Sequence, residues 1–229
     1  MPWIGAKYRF ASTFSYRIPN FSSSYALSAP VPSPSTVKLA VTSEIIARNG
    51  NVNKGKEIFN EISGSKVVIE LPSRIAIFKA FIKRLKQKRK IKGERGGFDQ
   101  TFGIREYVHF GGPLGIYLEI PERIKDTVEA SLRNISYFGT SDSICSCIEV
   151  VSKPPSENCV VKEFDPDLNK NGIVFLLSDF TETVSFNNVN PYSEEKMTNK
   201  HISIKPYFFP LKPIKKENNY ILYETVINS

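Results

Sequence analysis

The residues best suited to bind a charged ligand form a basic run near the middle of the chain. Between residues 79 and 95 the basic side chains are Lys79, Lys83, Arg84, Lys86, Lys88, Arg89, Lys90, Lys92 and Arg95. Lysine and arginine neutralise phosphates and release counterions, which makes binding strongly dependent on salt. Glycines at positions 93, 96 and 97 accompany the run, so the alternative interpretation is a solvated loop without a partner.

The start of the first predicted helix is a second candidate site. Prolines at positions 30, 32 and 34 hold the chain extended, and Ser33 stands at the expected N-cap with Pro34 at the first helical position. A helix N-terminus offers free N–H groups and the positive end of the helix dipole, and hydroxyls lie beside it on Ser33, Ser35 and Thr36. The stretch predicts an anion site, or simply a well-capped helix that ends at Gly50.

Aromatic residues alternate with polar and basic ones on the predicted first strand, residues 5–18. The aromatic positions there are Tyr8, Phe10, Phe14 and Tyr16, and two more, Tyr137 and Phe138, precede a loop at Gly139. Exposed strand aromatics can stack on RNA bases. The same alternation suits an aromatic core, which is the expected role of most of these residues.

Candidate catalytic residues are few. His109, with Tyr107 and a lysine, could act as general base or electrostatic stabiliser in metal-free RNA cleavage. A lone histidine on a strand is more often a structural or surface residue. No cluster of histidines, cysteines or carboxylates has the spacing of a metal site, and no phosphate-binding glycine motif is present. We therefore expect neither a metal nor a cofactor.

The net charge of +8 favours a polyanionic partner, with nucleic acid ahead of an anionic membrane surface. A hydrophobic fraction of 41% over 229 residues is enough for a packed core. The cysteines, at positions 145, 147 and 159, suit a reduced intracellular protein. Because neither a membrane-spanning run nor a signal peptide is recognisable, we expect a cytoplasmic protein that has no membrane partner.

The elements that would position these groups alternate between strand and helix. Hydrophobic periodicity predicts strands at 5–18, 66–71, 114–120 and 143–151, helices at 34–49, 51–63 and 121–134, and a long excursion with a basic tip at 75–110. The apolar stretch that opens this excursion suits either a strand or a helix. The order predicts an α+β fold of the ferredoxin-like (RRM-like, βαββαβ) type with one insertion.

A domain boundary is predicted at the Pro-Pro-Ser-Glu-Asn sequence of residues 154–158. Residues 1–152 would form the ferredoxin-like domain, with the insertion at about 75–110. Beyond the boundary, short apolar runs are separated by polar loops, which indicates a small β-rich C-terminal lobe at residues 153–229.

Three segments together carry a resemblance to a known family. They are the strand at 8–17 that leads into the proline-rich stretch 30–38, the excursion at 75–110, and the Leu-Arg-Asn-Ile-Ser-Tyr-Phe-Gly-Thr-Ser-Asp-Ser sequence of residues 132–143. Over residues 5–151 the chain resembles the Cas-five subunit family of type I CRISPR interference (Cascade) complexes, a branch of the RAMP superfamily. The resemblance implies a ferredoxin-like RAMP domain whose insertion is a thumb-like β-hairpin.

The resemblance also implies a function in antiviral defence. Such a subunit binds the 5′ handle of the CRISPR RNA (crRNA), caps the filament of Cas-seven-type backbone subunits and contacts the large Cascade subunit, with target DNA nearby in the ribonucleoprotein. Its thumb, here at about 81–97, displaces a nucleotide of the guide. The resemblance and the basic run together predict RNA contacts at Arg9, Arg17, Ser33, Ser35, Thr36, Lys38, Lys83, Arg84, Lys86, Lys88, Arg89, Lys90, Lys92, Tyr137, Gly139 and Ser141.

In one subtype the family member is itself the endoribonuclease that processes the crRNA precursor. The basic run of this chain contains no histidine, so we expect a subunit without catalytic activity. Metal-independent cleavage by Tyr107 and His109 is the alternative, and docking on an anionic membrane is a weaker one.

Overall fold

The computed structural model describes residues 2–18, 25–87, 97–156, 159–167 and 171–226, without the side chains of Arg84 and Lys86. Four residues predicted to contact RNA lie outside this description: Lys88, Arg89, Lys90 and Lys92. In chain order the elements are β1 (Trp3–Phe10), β2 (Tyr25–Ala26), α1 (Pro34–Asn49), α2 (Val52–Ile62), β3 (Val67–Glu70), β4 (Arg74–Gln87), β5 (Phe98–Phe110), β6 (Leu114–Glu119), a 3₁₀ turn (Glu122–Ile124), α3 (Lys125–Asn134), β7 (Cys145–Val151), β8 (Val160–Glu163), β9 (Ile173–Phe180), α4 (Phe186–Val189), β10 (Ile202–Phe209), β11 (Leu211–Lys216) and β12 (Tyr220–Thr225).

A seven-stranded sheet has the order β7-β1-β6-β3-β8-β10-β9, and every neighbouring pair is antiparallel. The strands predicted from the first two-thirds of the sequence are adjacent in it, as β7-β1-β6-β3. Helices α1 and α3 pack beside each other, with α3 against β1 and β7 and α1 against β3 and β9. Their buried faces carry β-branched and aliphatic residues, as the 3.6-residue period requires: Val37, Val41, Ile45, Val128 and Leu132.

A second sheet has the order β11-β12-β4-β5-β2. Its longest component is the antiparallel hairpin β4–β5, whose pairing runs without interruption from Ile75 opposite Phe110 to Gln87 opposite Phe98. The apolar stretch that the sequence left open between strand and helix is therefore a strand. At the base of the hairpin, Ile75 and Val108 are fully buried in the same core as Ile4 of the first sheet.

The first strand is shorter than predicted, because the chain leaves the seven-stranded sheet after Phe10. The following segment turns to the hairpin, where Phe14 bridges Val108 of β5 through two backbone hydrogen bonds of 2.8 Å. Arg17 then forms an isolated bridge with Ser28. The predicted strand at 5–18 is thus one strand, β1, followed by a connecting segment. The alternation of aromatic and polar residues continues past Phe10, although the pairing with the seven-stranded sheet ends there.

Residues after the predicted boundary complete both sheets. Strands β8, β9 and β10 extend the seven-stranded sheet beyond β3, and β12 pairs with β4 of the second sheet. Leu177, Phe209 and Tyr223 belong to the same buried cluster as Ile4. This region is rich in strands and shares both sheets and the buried core with the residues before 152, and the domain division at that point stays a prediction.

An ion pair inside the protein joins α1 to β9. Lys38 is fully buried, and its Nζ donates hydrogen bonds of 2.7 Å to the Asp179 carboxylate and to the carbonyl oxygen of Ser63. Burial lowers the pKa of Lys38 and raises the pKa of Asp179, while the attraction between the two charges opposes both shifts.

Within the described segments, no helix is long and apolar enough to cross a membrane.

We predict that Asp179→Ala lowers the free energy of unfolding by about 3–5 kcal/mol, because it leaves the Lys38 charge buried without a counterion. The matched control is Glu163→Ala, which removes the partner of Lys205 in an ion pair of the same 2.7 Å length whose side chains are both about half exposed. Glu163→Ala should lower the free energy of unfolding by less than about 1 kcal/mol. Urea denaturation of the two variants measures the difference, and equal losses would show that burial of the Lys38 pair has no energetic consequence.

Candidate nucleic-acid interface

A cleft opens between one face of α1 and the loop that follows α3, with a volume of about 270 Å³. We call it the α1–α3 cleft. It brings together three residues that the sequence predicted as RNA contacts: Thr36 and, about a hundred positions later in the chain, Tyr137 and Gly139. The other lining residues are Tyr16, Leu39, Ala40, Ser43, Glu44, Ile135 and Ser136.

The loop on one side of the cleft depends on Gly139. Its φ of +73° lies in the left-handed region, and a Cβ atom there would come within 2.9 Å of Cδ2 of the Tyr16 ring. Hydroxyl groups hold the loop to the segment after β1: Thr140 Oγ1 donates to the Ser15 carbonyl at 3.2 Å, and the Ser15 N–H donates to Ser143 Oγ at 3.1 Å. The glycine and these hydrogen bonds place Tyr16 and the loop against each other.

At the start of α1 most of the polar side chains are buried. Ser33 occupies the N-cap position, as predicted, although its side chain makes no capping hydrogen bond. Ser35 is also buried, and its Oγ lies 2.8 Å from Ser178 Oγ of β9. Lys38 is buried as well and bonds to Asp179 of β9, so these three side chains have little exposed surface, and an anion site at the helix start stays a prediction.

Thr36 at the start of α1 differs from these residues because it lines the α1–α3 cleft, although it is only 6% exposed. Among the described residues its Oγ1 has no hydrogen-bond partner. A buried hydroxyl without a partner costs about 1–3 kcal/mol relative to one that is hydrogen-bonded, so a polar group of a ligand would be favoured beside it.

The aromatic residues of the first strand belong mainly to the core. Tyr8 and Phe14 are fully buried, and the Tyr8 ring lies edge-on to Phe138 with the ring centroids 4.9 Å apart. The Tyr8 hydroxyl donates to the carbonyl oxygen of Leu132 at 2.7 Å, and burial raises its pKa. The core interpretation is therefore confirmed for this strand, whereas Tyr16 reaches the cleft.

Three other predicted contacts are exposed but lie outside the lining of the cleft. Arg9 is on β1 opposite Ser146, Arg17 follows the connecting segment, and Ser141 is in the loop after Gly139. Tyr137, which lines the cleft, is 45% exposed. The predicted contacts thus divide into a group in the cleft, a group on the surface around it and a group inside the protein.

The hairpin carries an exposed apolar face that the sequence interpretation did not identify. Pairing puts Phe81 opposite Ile104 and Lys83 opposite Phe102, so the four side chains share one face. The rings of Phe81 and Phe102 stack with their centroids 5.7 Å apart, and Lys83 Nζ lies 5.8 Å from the Phe102 centroid. The exposed hydrophobic residues on this face are Phe81, Leu85, Phe98, Phe102 and Ile104; we call this surface the hairpin arm.

A two-residue alternation in the sequence was the available signal for the hairpin arm. Ile75, Ile77, Phe81 and Leu85 recur at odd positions along β4. At the base of the hairpin this face is buried in the core, and beyond Ile77 it continues without cover. The signal could not be interpreted before the stretch was known to be a strand, because a helix would have spread these residues over different directions.

The two candidate catalytic residues lie on the opposite face of the hairpin. His109 is exposed on β5 opposite Ala76, and Tyr107 stacks on Phe78 with ring centroids 5.8 Å apart. None of the hydrogen bonds found in the described part of the chain joins His109 to Tyr107 or to a lysine. In the same part of the chain, no three histidine, cysteine or carboxylate side chains are gathered as metal ligands.

Comparison of the whole sequence with known proteins decides the family. No protein-family model matches it. The CRISPR-associated protein Cas5 of Archaeoglobus fulgidus is 34% identical over 233 residues, which cover 98% of this chain and 99% of that protein. The chain belongs to the Cas5 family. The resemblance carried by the proline-rich stretch, the excursion and the Gly139 loop is confirmed, and the protein is CRISPR-associated.

Comparison with solved structures matches chains of CRISPR proteins and complexes. A CRISPR protein from Archaeoglobus fulgidus is 16% identical, with coverage of 100% of this chain and 93% of that chain and a TM-score of 0.44. A chain of a CRISPR RNA-guided surveillance complex is 13% identical, with 91% of both chains covered and a TM-score of 0.44. A chain of the Type III-B Cmr-beta complex, solved by cryo-EM with cognate target RNA and AMPPnP, is 8% identical, with 95% and 86% covered and a TM-score of 0.43.

We predict that Gly139→Ala lowers the free energy of unfolding by more than Gly50→Ala does. Both glycines have φ between +60° and +75°, but an added Cβ meets nothing within 4 Å at Gly50 and meets the Tyr16 ring at Gly139. The left-handed backbone should cost each variant about 1–2 kcal/mol, and the close approach to the ring should add to the cost at Gly139 alone. Urea denaturation measures both losses, and a loss at Gly139 no larger than at Gly50 would contradict the close packing of the loop on Tyr16.

Proposed function

We propose that this member of the Cas5 family is a non-catalytic subunit of a crRNA-guided interference complex and that it binds the 5′ handle of the crRNA. The observation that carries the proposal is the α1–α3 cleft, where two tyrosines converge beside a glycine loop with a buried hydroxyl that no described residue satisfies. Aromatic rings and hydroxyls are the groups with which proteins recognise unpaired RNA. The net charge of +8 supports a polyanionic ligand.

We also propose that the strands β7-β1-β6-β3 with α1 and α3 are a ferredoxin-like RAMP unit. Two features support this: the strands occur in the chain as strand, helix, strand, strand, helix, strand, and they are antiparallel neighbours in the order fourth, first, third, second. On this proposal the hairpin β4–β5 is the thumb, inserted between the second and third strands of the unit.

In this proposal the hairpin arm contacts the RNA with two kinds of group. The stacked Phe81 and Phe102 rings offer an exposed surface for bases, and Lys83 beside them offers a charge for a phosphate. The sequence beyond Gln87 supplies further basic residues for phosphates. Base stacking and phosphate neutralisation suit a single strand whose sequence matters little at the arm.

The remaining partners follow from the family resemblance. We propose that the subunit caps a filament of Cas-seven-type backbone subunits, contacts the large Cascade subunit and lies near target DNA. A hairpin that projects from the core, with exposed aromatics at Phe81 and Phe98, supports a role within an assembly because isolated proteins rarely expose such a patch without a partner.

We predict that replacing Lys86, Lys88, Arg89 and Lys90 together by alanine weakens binding to a fluorescently labelled repeat RNA. For each phosphate that is no longer neutralised, the slope of log K against log salt should fall by about 0.7. The matched control replaces four lysines far from the run in the sequence, Lys54, Lys56, Lys196 and Lys200, and removes the same charge. Fluorescence anisotropy between 50 and 300 mM salt, roughly the range in which this dependence is steep, measures the slopes.

Equal slopes for the two quadruple variants would show that the basic run makes no phosphate contacts of its own, as expected of a solvated loop without a partner. The same labelled RNA, incubated without metal and separated on a denaturing gel, should stay intact. Specific cleavage that disappears in His109→Ala would contradict the proposal that the subunit is non-catalytic and would establish the endoribonuclease alternative.

We predict that Phe81→Ala with Phe102→Ala weakens binding of the repeat RNA by about 5-fold or more, because each base stacked on an aromatic ring contributes about 1–3 kcal/mol. Thermal stability should change little, since both side chains are more than half exposed. Tyr192→Ala is the control, because Tyr192 is 92% exposed in the loop after α4. Unchanged RNA affinity in the double variant would show that the arm contacts something other than bases.

A further inference from the structure

The α1–α3 cleft has a charge unlike that of a phosphate site. Among the described residues that line it, Glu44 is the only acidic or basic one. A carboxylate repels a phosphate, and the described lining includes neither lysine nor arginine; the charge that acts on Glu44 is Arg48, one turn later on α1 and outside the lining. The basic residues that we propose as phosphate contacts lie instead around the cleft, at Arg9 and Arg17, and on the hairpin, at Lys83, so we assign the cleft to a different part of the RNA.

The lining of the cleft fits a planar, partly polar group. Thr36, Ala40 and Glu44 recur every four residues along α1 and therefore form one continuous stripe of the helix. Tyr16 and Tyr137 supply aromatic surface on the side of the glycine loop. The volume of about 270 Å³ is at the small end of the range for ligand pockets, which suits one ring system rather than several.

We propose that the cleft receives one unstacked nucleobase of the bound RNA and that Glu44 recognises its edge, with guanine preferred. The proposal rests on the proposed function, because it requires that the protein binds RNA. Guanine presents two adjacent donors, N1–H and N2–H, which match the two oxygens of a carboxylate. Adenine, cytosine and uracil each place an acceptor next to their donor, and that acceptor would meet the second carboxylate oxygen.

Partial burial raises the pKa of Glu44 and so disfavours the carboxylate that this match requires, while Arg48, one turn later on α1, opposes the shift and favours the charged form. In a partly dehydrated cleft, a matched hydrogen bond is stronger and an unmatched acceptor is more costly than in water. Thr36 Oγ1, which lacks a partner among the described residues, offers a further hydrogen bond to a polar atom of the base.

The test uses labelled eight-nucleotide oligouridines in which one guanosine is placed at each position in turn. Fluorescence anisotropy with the full-length protein should show one favoured position, where guanosine increases the affinity about tenfold over oligouridine. Inosine at that position, which lacks the N2 amino group, should lose most of the gain. Glu44→Gln should reduce the ratio of the guanosine affinity to the oligouridine affinity to less than about twofold, because the glutamine amide presents only one acceptor and its NH₂ group can donate to a uracil carbonyl.

Glu57→Gln is the matched control, because Glu57 is exposed on α2 and the change in charge is the same. This variant should retain the preference for guanosine. A preference that survives Glu44→Gln, or a wild-type protein that binds every oligonucleotide equally, would overturn the inference and leave RNA binding intact. A wild-type protein that binds none of them, nor the repeat RNA, would overturn the proposed function as well.

Discussion

The buried ion pair between Lys38 and Asp179 is the constraint on which the position of α1 depends. A fully enclosed ammonium group is tolerated only where oxygen atoms replace its water, and here they come from β9 and from the carbonyl of Ser63 at the end of α2. Because these partners belong to two separate elements, a shift of α1 would separate the charge from at least one of them. The requirement therefore favours one placement of the helix, and with it the placement of Thr36 and Glu44 in the cleft wall.

The segment after β1 connects this helix to the hairpin. Its backbone at Phe14 bonds to Val108 of β5, and the Ser15 hydroxyl donates to the carbonyl of Glu106 at 3.0 Å. In the same segment, the Ser15 carbonyl oxygen accepts a hydrogen bond from the Thr140 hydroxyl, and the Tyr16 ring lies against Gly139. One short stretch of chain thus contacts both the α1–α3 cleft and the base of the hairpin. It therefore fixes the position of the cleft relative to the hairpin base, and these are the two surfaces that we propose for RNA.

These two surfaces have different chemistry. The hairpin arm joins aromatic rings to a lysine and presents them openly, as at Phe81, Phe102 and Lys83. The cleft is a recess that carries a carboxylate and contains a hydroxyl without a partner among the described residues. Open stacking with positive charge favours a strand of any sequence, whereas a recess with fixed donors and acceptors can discriminate between bases. A subunit that recognises one end of a guide RNA would need both.

Local rules in the sequence were sufficient for much of the secondary structure. Periodicity and end signals placed α1 between Ser33 and Gly50, α2 after Asn51 and the strands β3, β6 and β7, and the family could be named from short motifs together with the basic excursion. Interactions between distant positions decided the rest. Lys38 and Ser35 became interior residues because β9, about 140 positions later, covers the start of α1. Periodicity shows whether a face of a helix or strand is apolar or polar. Only the packing of strands that are remote in the sequence decides which polar side chains become buried. It also decides which buried side chains lack a hydrogen-bond partner, as Thr36 does among the described residues.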